Sequence, residues 1–186
     1  MNAPASSPGY PAECERTART RDGAQYRIRP IRPDDLEREY EFVRGLSHDT
    51  LYNRLMYEVH EPTDALIRPL VNIDYDRHMA LVALDTDATG AEHIVGVARY
   101  AVDRERAEHE FAVAVTDAWQ GRGVGTTLLR ELFTHARRRG LRRLAGTVLP
   151  GNERMLALAR RLGLELSINR DDPSLVRIAK DFGQPS

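Results

Sequence analysis

A glycine-rich turn between a strand and a helix is the feature that most constrains how this chain folds. The turn reads Trp-Gln-Gly-Arg-Gly-Val-Gly-Thr over residues 119–126, after an apolar strand pattern that ends at Val115 and before an amphipathic helical pattern over 123–140. Backbone N–H groups in the first turn of a helix have no acceptor within the helix, and glycines let an anion approach them closely. The turn is therefore a candidate phosphate cradle, although three glycines also suit a tight turn that binds nothing.

The hydrophobic pattern on both sides of this turn indicates an α/β domain. Apolar alternation and short apolar runs predict seven strands, at residues 26–31, 79–85, 93–102, 110–115, 144–149, 164–168 and 175–179. Helical spacing predicts helices that begin at Pro33 and after an N-cap at Ser47, and further helices over 62–71, 123–140 and 152–162. Polar turns join the second, third and fourth strands, which predicts an antiparallel meander.

Length and composition limit the class of protein. The 186 residues fit one domain, in which residues 1–24 are expected to form a disordered or flexible tail and residues 25–182 the folded unit. The longest apolar run, residues 79–84, is too short to cross a membrane, and the first residues lack a secretory signal. A cytoplasmic location without membrane contact is expected. The single cysteine, Cys14, cannot form an internal disulfide.

The charge is distributed unevenly along the chain. The net charge of -1 argues against nucleic acid as a partner. Residues 120–143 contain seven arginines and one acid, however, so they carry +6 and the other 162 residues carry -7. This segment predicts an anion site around the glycine-rich turn. The six histidines lack metal-ligand spacing, and no metal is expected.

Two common phosphate-binding motifs do not match the turn. A P-loop needs Gly-Lys-Ser/Thr, but the first lysine of the chain is Lys180. A dinucleotide fingerprint that starts at Gly121 needs a glycine where Thr126 stands, and it lacks the acidic residue about 20 positions further on. A cofactor with a pyrophosphate and a further phosphate remains compatible with the turn.

The segment Gln120-Gly-Arg-Gly-Val-Gly125 resembles the Gln/Arg-x-x-Gly-x-Gly/Ala signature of the GNAT (Gcn5-related) N-acetyltransferases. Asn152, which follows the next strand and begins the next helix, matches the second landmark of that family. The resemblance covers residues 26–180 and implies the GNAT fold, a mixed, mostly antiparallel sheet of about seven strands flanked by about four helices. Four further stretches are similar to the catalytic domain of bacterial Pat-type protein lysine acetyltransferases: Leu46-Ser-His-Asp49, 73–83, 94–100 and Glu110-Phe-Ala-Val113.

The resemblance implies acetyl-CoA as co-substrate and assigns roles to individual residues. Glu110 corresponds to the general base of the Pat-type enzymes. The pantetheine arm would pair with the backbone of residues 113–115, where this strand splays from the next one, and N–H groups of residues 120–126 would hold the pyrophosphate. The implied cofactor-binding residues are Val113, Ala114, Val115, Gln120, Gly121, Arg122, Gly123, Val124, Gly125, Thr126 and Asn152. Many family members carry a tyrosine as proton donor on the last helix, but that position is Ala159 here.

The expected reaction is direct attack of an amine on the thioester in a ternary complex. A lysine amine, with a pKa near 10.4, must lose a proton before it attacks. The expected acceptor is a protein lysine, with an acyl-CoA synthetase as one candidate partner. Small-amine acetylation and a non-catalytic acyl-CoA sensor or binding module stay open, as does the oligomeric state. The acidic run over 34–41, net charge -4, suits either a solvated helix face or attraction of a lysine-rich protein surface.

Overall fold

Residues 9–56, 61–103 and 108–183 are described by the computed structural model, and within them the strand patterns assemble into one eight-stranded sheet. The strands are β1 (Arg16–Arg19), β2 (Gln25–Pro30), β3 (His78–Thr86), β4 (Glu92–Asp103), β5 (Glu108–Val115), β6 (Arg143–Val148), β7 (Glu165–Ile168) and β8 (Val176–Asp181). The α-helices are α1 (Leu36–Gly45), α2 (His48–Leu55), α3 (Asp64–Val71), α4 (Val124–Arg138) and α5 (Glu153–Arg161). The strand order is β1-β2-β3-β4-β5-β6-β8-β7, and β5 and β6 form the parallel pair.

Helices cover both faces of the sheet. On one face, α4 and α5 pack through residues such as Leu128 and Leu156. On the other face, α1 and α3 pack through residues such as Phe42 and Ile67. A strand that is covered on both sides needs apolar residues at successive positions, and residues 79–84 of β3 are accordingly all buried.

The predicted GNAT-type α/β fold is confirmed, with eight strands instead of about seven and five α-helices instead of about four in the described residues. The meander is present, because β3, β4 and β5 pair antiparallel in chain order. The predicted N-cap is also present: Oγ of Ser47 accepts a hydrogen bond from the backbone N–H of Thr50 at 3.3 Å. Among the described helices, none is long and apolar enough to cross a membrane.

The structure corrects the prediction for residues 1–24 in one part. Arg16–Arg19 forms the edge strand β1 and pairs antiparallel with β2, from Arg16 opposite Ile28 to Arg19 opposite Gln25. The sequence of β1 has no apolar alternation. The strand is held instead by backbone pairing and by an ion pair of 2.6 Å between Arg16 and Glu131 of α4. Residues 1–8 lie outside the described part of the chain.

Candidate active site

A cleft opens where β5 and β6 separate. The two strands pair in parallel at Glu110 and Ala145, although β5 continues to Val115. Beyond that pair, within the described residues, the edge of β5 that faces β6 has no strand partner. Apart from the carbonyl of Val115, which accepts a hydrogen bond from Gln120, its N–H and C=O groups therefore remain available to a ligand. The cleft has a volume of about 970 Å³ and continues from these strands to the glycine-rich turn and α5.

The glycine-rich turn presents free N–H groups to this cleft. Gly121 and Gly123 have φ angles of +72° and +97°, which glycine adopts without steric cost, and Gly123 caps α4. The first backbone bond of α4 runs from the N–H of Thr127 to the carbonyl of Gly123 at 3.0 Å. The three N–H groups of residues 124–126 therefore have no acceptor within the helix. This arrangement suits a phosphate or pyrophosphate group.

Gly125 is the third glycine of the turn, and it packs against side chains of β5 and α5. A Cβ at this residue would lie 3.5 Å from Val115 and 3.7 Å from Leu158. The first turn of α4 therefore lies directly against the end of β5 and against α5.

The side chain of Gln120 joins three elements at the mouth of the cleft. Its Nε2 donates to the carbonyl of Val115 at 2.9 Å, to Oδ1 of Asp117 at 2.8 Å and to Oγ1 of Thr50 on α2 at 3.1 Å. Its Oε1 accepts a hydrogen bond from Arg154 of α5. Hydrogen bonds to Asp117, from Ser47 first and then Thr50, hold the pKa of that carboxyl below its usual value. The sequence assigned Gln120 through the motif and gave no signal for these bonds.

Nine of the predicted cofactor-binding residues line the cleft, and Arg122 and Val124 do not. Val124, the first residue of α4, is fully buried. The Arg122 guanidinium binds Asp22 at 2.8 Å and lies 4.5 Å from the ring centre of Trp119. Hydrogen bonding from Arg122 lowers the pKa of Asp22 to about 2. The backbone N–H groups of these two residues remain part of the prediction, whereas their side chains contact other parts of the protein.

Asn152 caps α5 at the side of the cleft. Its Oδ1 accepts a hydrogen bond from the backbone N–H of Met155 at 3.1 Å, which satisfies one of the free donors at the start of the helix. Three guanidinium groups that the sequence reasoning missed also line the cleft, those of Arg54, Arg154 and Arg161. Arg154 and Arg161 stand seven residues apart, so they share one face of α5.

Glu110 stands at the point where β5 and β6 separate. It is exposed, lies opposite Ala101 of β4 and Ala145 of β6, and directly precedes the cleft residues Phe111 and Ala112. Its carboxylate makes no hydrogen bond or ion pair with the described residues. Ala159 of α5 is fully buried, so that helix position offers no acidic side chain to the cleft.

The predicted role of the arginine-rich segment is wrong for most of its residues. The helix α4 has 15 residues, which places its C-terminus roughly 20 Å from the glycine-rich turn. Arg137, Arg138 and Arg139 lie at that far end, and Arg139 binds Asp76. Arg143 binds Asp181 at 2.9 Å. These guanidinium groups therefore lie away from the phosphate cradle.

The acidic run over 34–41 also differs from a simple solvated face. Asp35 is fully buried and binds Arg29 through two hydrogen bonds of 2.6 Å. Glu39 is buried and binds Arg99 at 2.6 Å. Neither carboxylate lines the cleft, so these two acids hold α1 on the sheet.

Comparison with known proteins agrees with the fold and the cleft. Residues 41–164 match the model of the acetyltransferase (GNAT) family. This match covers more than half of the chain, and the chain therefore belongs to the GNAT acetyltransferase family. The predicted membership is confirmed, and the chain is an N-acetyltransferase of this family.

Three relatives define the similarity more closely. An acetyltransferase of Pseudomonas aeruginosa is 37% identical over 155 residues, which cover 83% of each chain. Acetyltransferase Pat of Mycolicibacterium smegmatis is 34% identical over 144 residues, which cover 77% of this chain and 42% of Pat. The crystal structure of the GNAT domain of S. lividans PAT shares 30% identity and superposes with a TM-score of 0.84, covering 93% of this chain and 99% of that one. The chain thus spans less than half of the M. smegmatis protein, and it matches the GNAT domain of the S. lividans protein almost completely.

Proposed function

We propose that this acetyltransferase transfers the acetyl group of acetyl-CoA to the side-chain amine of a protein lysine, by direct attack in a ternary complex with Glu110 as general base. The observation that carries the proposal is the cleft between β5 and β6. A phosphate cradle lies at one end of this cleft, and the exposed carboxylate of Glu110, which has no partner among the described residues, stands where the strands separate. The similarity to Pat supports the choice of acceptor.

The residues of the cleft fit acetyl-CoA by their chemistry. The free N–H groups of residues 124–126 suit the pyrophosphate, and the unpaired edge of β5 at residues 113–115 suits the amides of the pantetheine arm. Acetyl-CoA supplies the thioester carbonyl that the amine attacks. The protein contributes orientation of this group and a route for the proton.

Glu110 can take a proton from the acceptor amine, directly or through a water molecule. A lysine ammonium is a poor nucleophile until it loses this proton, which is the reason for a base at this position. The acidic side chains of Asp49 and Asp117 line the same cleft beside α2, so they favour the approach of a cationic lysine.

Transfer without a covalent intermediate fits the position of the single thiol. Cys14 is the one cysteine of the chain and packs beside the core on the α4 face, away from the residues that line the cleft. Burial raises the pKa of its thiol to about 11, so the reactive thiolate is scarce at neutral pH. Both facts favour direct attack of the amine on the thioester.

The test measures transfer of label from acetyl-CoA to a panel of purified acyl-CoA synthetases and small amines. We expect label on protein lysines, and label on small amines alone would contradict the lysine acceptor. Glu110→Gln should keep acetyl-CoA binding and lose turnover by about a hundredfold or more. Glu37→Gln, an exposed carboxylate on α1, serves as the matched control and should leave turnover unchanged. Binding of acetyl-CoA with no transfer to any acceptor would instead indicate a sensor module.

A further inference from the structure

Two arginines flank Glu110 on the same face of the sheet. Arg99 of β4 stands opposite Ala112, two residues after Glu110 on β5. Arg143 of β6 stands two residues before Ala145, the parallel partner of Glu110. Side chains at such diagonal positions on neighbouring strands lie within reach of one another when one of them is long. Either guanidinium could therefore form an ion pair with Glu110.

Both arginines are bound to other groups instead. Nη2 of Arg99 donates to Oε1 of Glu39 at 2.6 Å, and Nη1 donates to the carbonyl of Leu70 at 3.2 Å. Arg143 donates to Asp181 at 2.9 Å and to Glu165 at 2.8 Å. These contacts leave the carboxylate of Glu110 without an ion pair among the described residues.

We propose that Glu39 is a positioning residue for catalysis: it holds Arg99 away from Glu110 and so leaves the base free to accept the proton of the acceptor amine. The inference rests on the proposed role of Glu110. A guanidinium that binds a carboxylate occupies its oxygens and stabilises the charged form. A carboxylate in such a pair accepts a proton less readily, so an enzyme that relies on it gains from keeping the arginine elsewhere.

Burial explains why Glu39 has a larger effect than the carboxylates beside Arg143. The side chains of Glu39 and Arg99 are 2% and 15% exposed, whereas those of Glu165 and Asp181 are 61% and 62% exposed. Water and salt screen the exposed pairs, and such pairs contribute little. The charge on Arg99 is screened much less by solvent, so the position of its guanidinium depends on the bond to Glu39.

Glu39 is held in the interior by its bond to Arg99. Its Oε2 is buried and has no hydrogen-bond partner among the described residues, which leaves part of the cost of burying the carboxylate uncompensated. Burial raises the pKa of Glu39, while Arg99 and Arg54 act in the opposite direction.

Further titratable groups stand near this arrangement. Asp35 lies close enough to raise the pKa of Glu39. On β3, His78 stands opposite Ala101, the β4 partner of Glu110, and contacts Asp74 at 3.5 Å. None of these groups is replaced in any variant of the test. A difference between the pH profiles is therefore assigned to Glu39 and Arg99.

The test compares pH profiles of kcat/KM for the wild type, Glu39→Gln, Glu39→Gln/Arg99→Gln and the control Glu165→Gln. Glu39→Gln should move the acid limb to lower pH by about one unit and lower the plateau kcat, because Arg99 is then free to act on Glu110. Its KM for acetyl-CoA should not change. The double variant lacks the cation and should have the wild-type acid limb, as should Glu165→Gln. An unmoved limb in Glu39→Gln, or a shift that persists in the double variant, would overturn the proposal.

Two further measurements separate the possible failures. If Glu110→Gln retains full turnover, the base assignment and this inference fail together. If Glu110→Gln is inactive and the limb of Glu39→Gln does not move, the inference about Glu39 fails alone. Should Glu39→Gln not fold, the double variant decides. A folded double variant with the wild-type acid limb agrees with the proposal, whereas a folded but inactive one would overturn it, because the pair itself would then be required.

Discussion

Gly146 of β6 lies where the cleft begins, and its replacement by alanine tests the proposed geometry. A Cβ at this position would lie 2.9 Å from the backbone carbonyl oxygen of Phe111 and 3.5 Å from the ring of the same residue. The nearest atom belongs to the backbone of β5, so it cannot move away as the end of a flexible side chain could. Gly146→Ala must therefore push β6 and β5 apart beside the pair formed by Glu110 and Ala145.

The expected loss of stability follows from this contact. Overpacking of a well-packed site destabilises by about 1–3 kcal/mol. A change of 1 kcal/mol shifts Tm by about 2–4 °C in a chain of this length, so we expect Tm to fall by about 4–8 °C for a loss of about 2 kcal/mol. The wider separation of the strands should also raise the KM for acetyl-CoA, since the backbone edge of β5 would no longer face the cofactor correctly.

Thermal unfolding and steady-state kinetics measure these two effects. Gly45→Ala is the matched control, because a Cβ at the end of α1 would meet no atom within 4 Å. Gly96→Ala is a graded control, because its closest contact, at 3.1 Å, is the end of the Leu128 side chain, which can shift. If Gly146→Ala melts within one degree of Gly45→Ala and keeps the wild-type KM, the argument about the separation of β5 and β6 is refuted.

Three further predictions concern charged residues. Asp35→Asn should lower the free energy of unfolding by about 3–5 kcal/mol in urea denaturation, because it leaves Arg29 buried without its partner; a loss below about 1 kcal/mol would contradict this. Burial alone would raise the pKa of Asp35, but Arg29 holds this pKa below its usual value. The charged carboxylate therefore stabilises the folded protein at pH values above the pKa of Asp35 in the unfolded chain. This stabilisation is lost as the pH falls through the pKa of Asp35 in the folded protein. Melting temperatures between neutral pH and about pH 3 should therefore fall more steeply for the wild type than for Asp35→Asn, and equal slopes would refute the assignment. Arg122→Ala should leave the KM for acetyl-CoA within about twofold and cost less than about 1 kcal/mol, because its guanidinium forms an exposed pair with Asp22; a tenfold rise in KM would show that the side chain binds the cofactor.

The parts of the fold that local patterns specify could be predicted from the sequence. Apolar spacing located the central strands and the amphipathic helices, and the caps at Ser47 and Asn152 follow from side chains that can accept a hydrogen bond from the next turn. The strand β1 could not be predicted, because the Arg-Thr-Ala-Arg segment at 16–19 has no pattern of its own and forms through pairing with β2.

The same distinction holds for the candidate site. The motif identified the glycine-rich turn, because the turn needs glycine at Gly121 and Gly123, which have positive φ. It could not show that Gln120 binds Thr50, 70 residues away, or that Arg154 contributes a guanidinium to the cleft. Contacts of this kind depend on how distant elements pack against one another, and the spacing of residues in a sequence motif contains no information about them.

The charged residues show why the local net charge of a segment did not predict the anion site, and which sequence pattern is more informative. The arginines at and after the C-terminal end of α4 are close to the glycine-rich turn in sequence, but the length of this 15-residue helix separates them from it. The informative positions are instead Arg29 and Arg99, which stand within apolar strand patterns and are therefore carried into the interior. A buried guanidinium requires a carboxylate partner, and Asp35, which caps α1, and Glu39, four residues further on, point to the same side of that helix. An acidic run that precedes a sheet with arginines inside its strands should therefore be interpreted as a source of buried partners before it is interpreted as a surface for a lysine-rich protein.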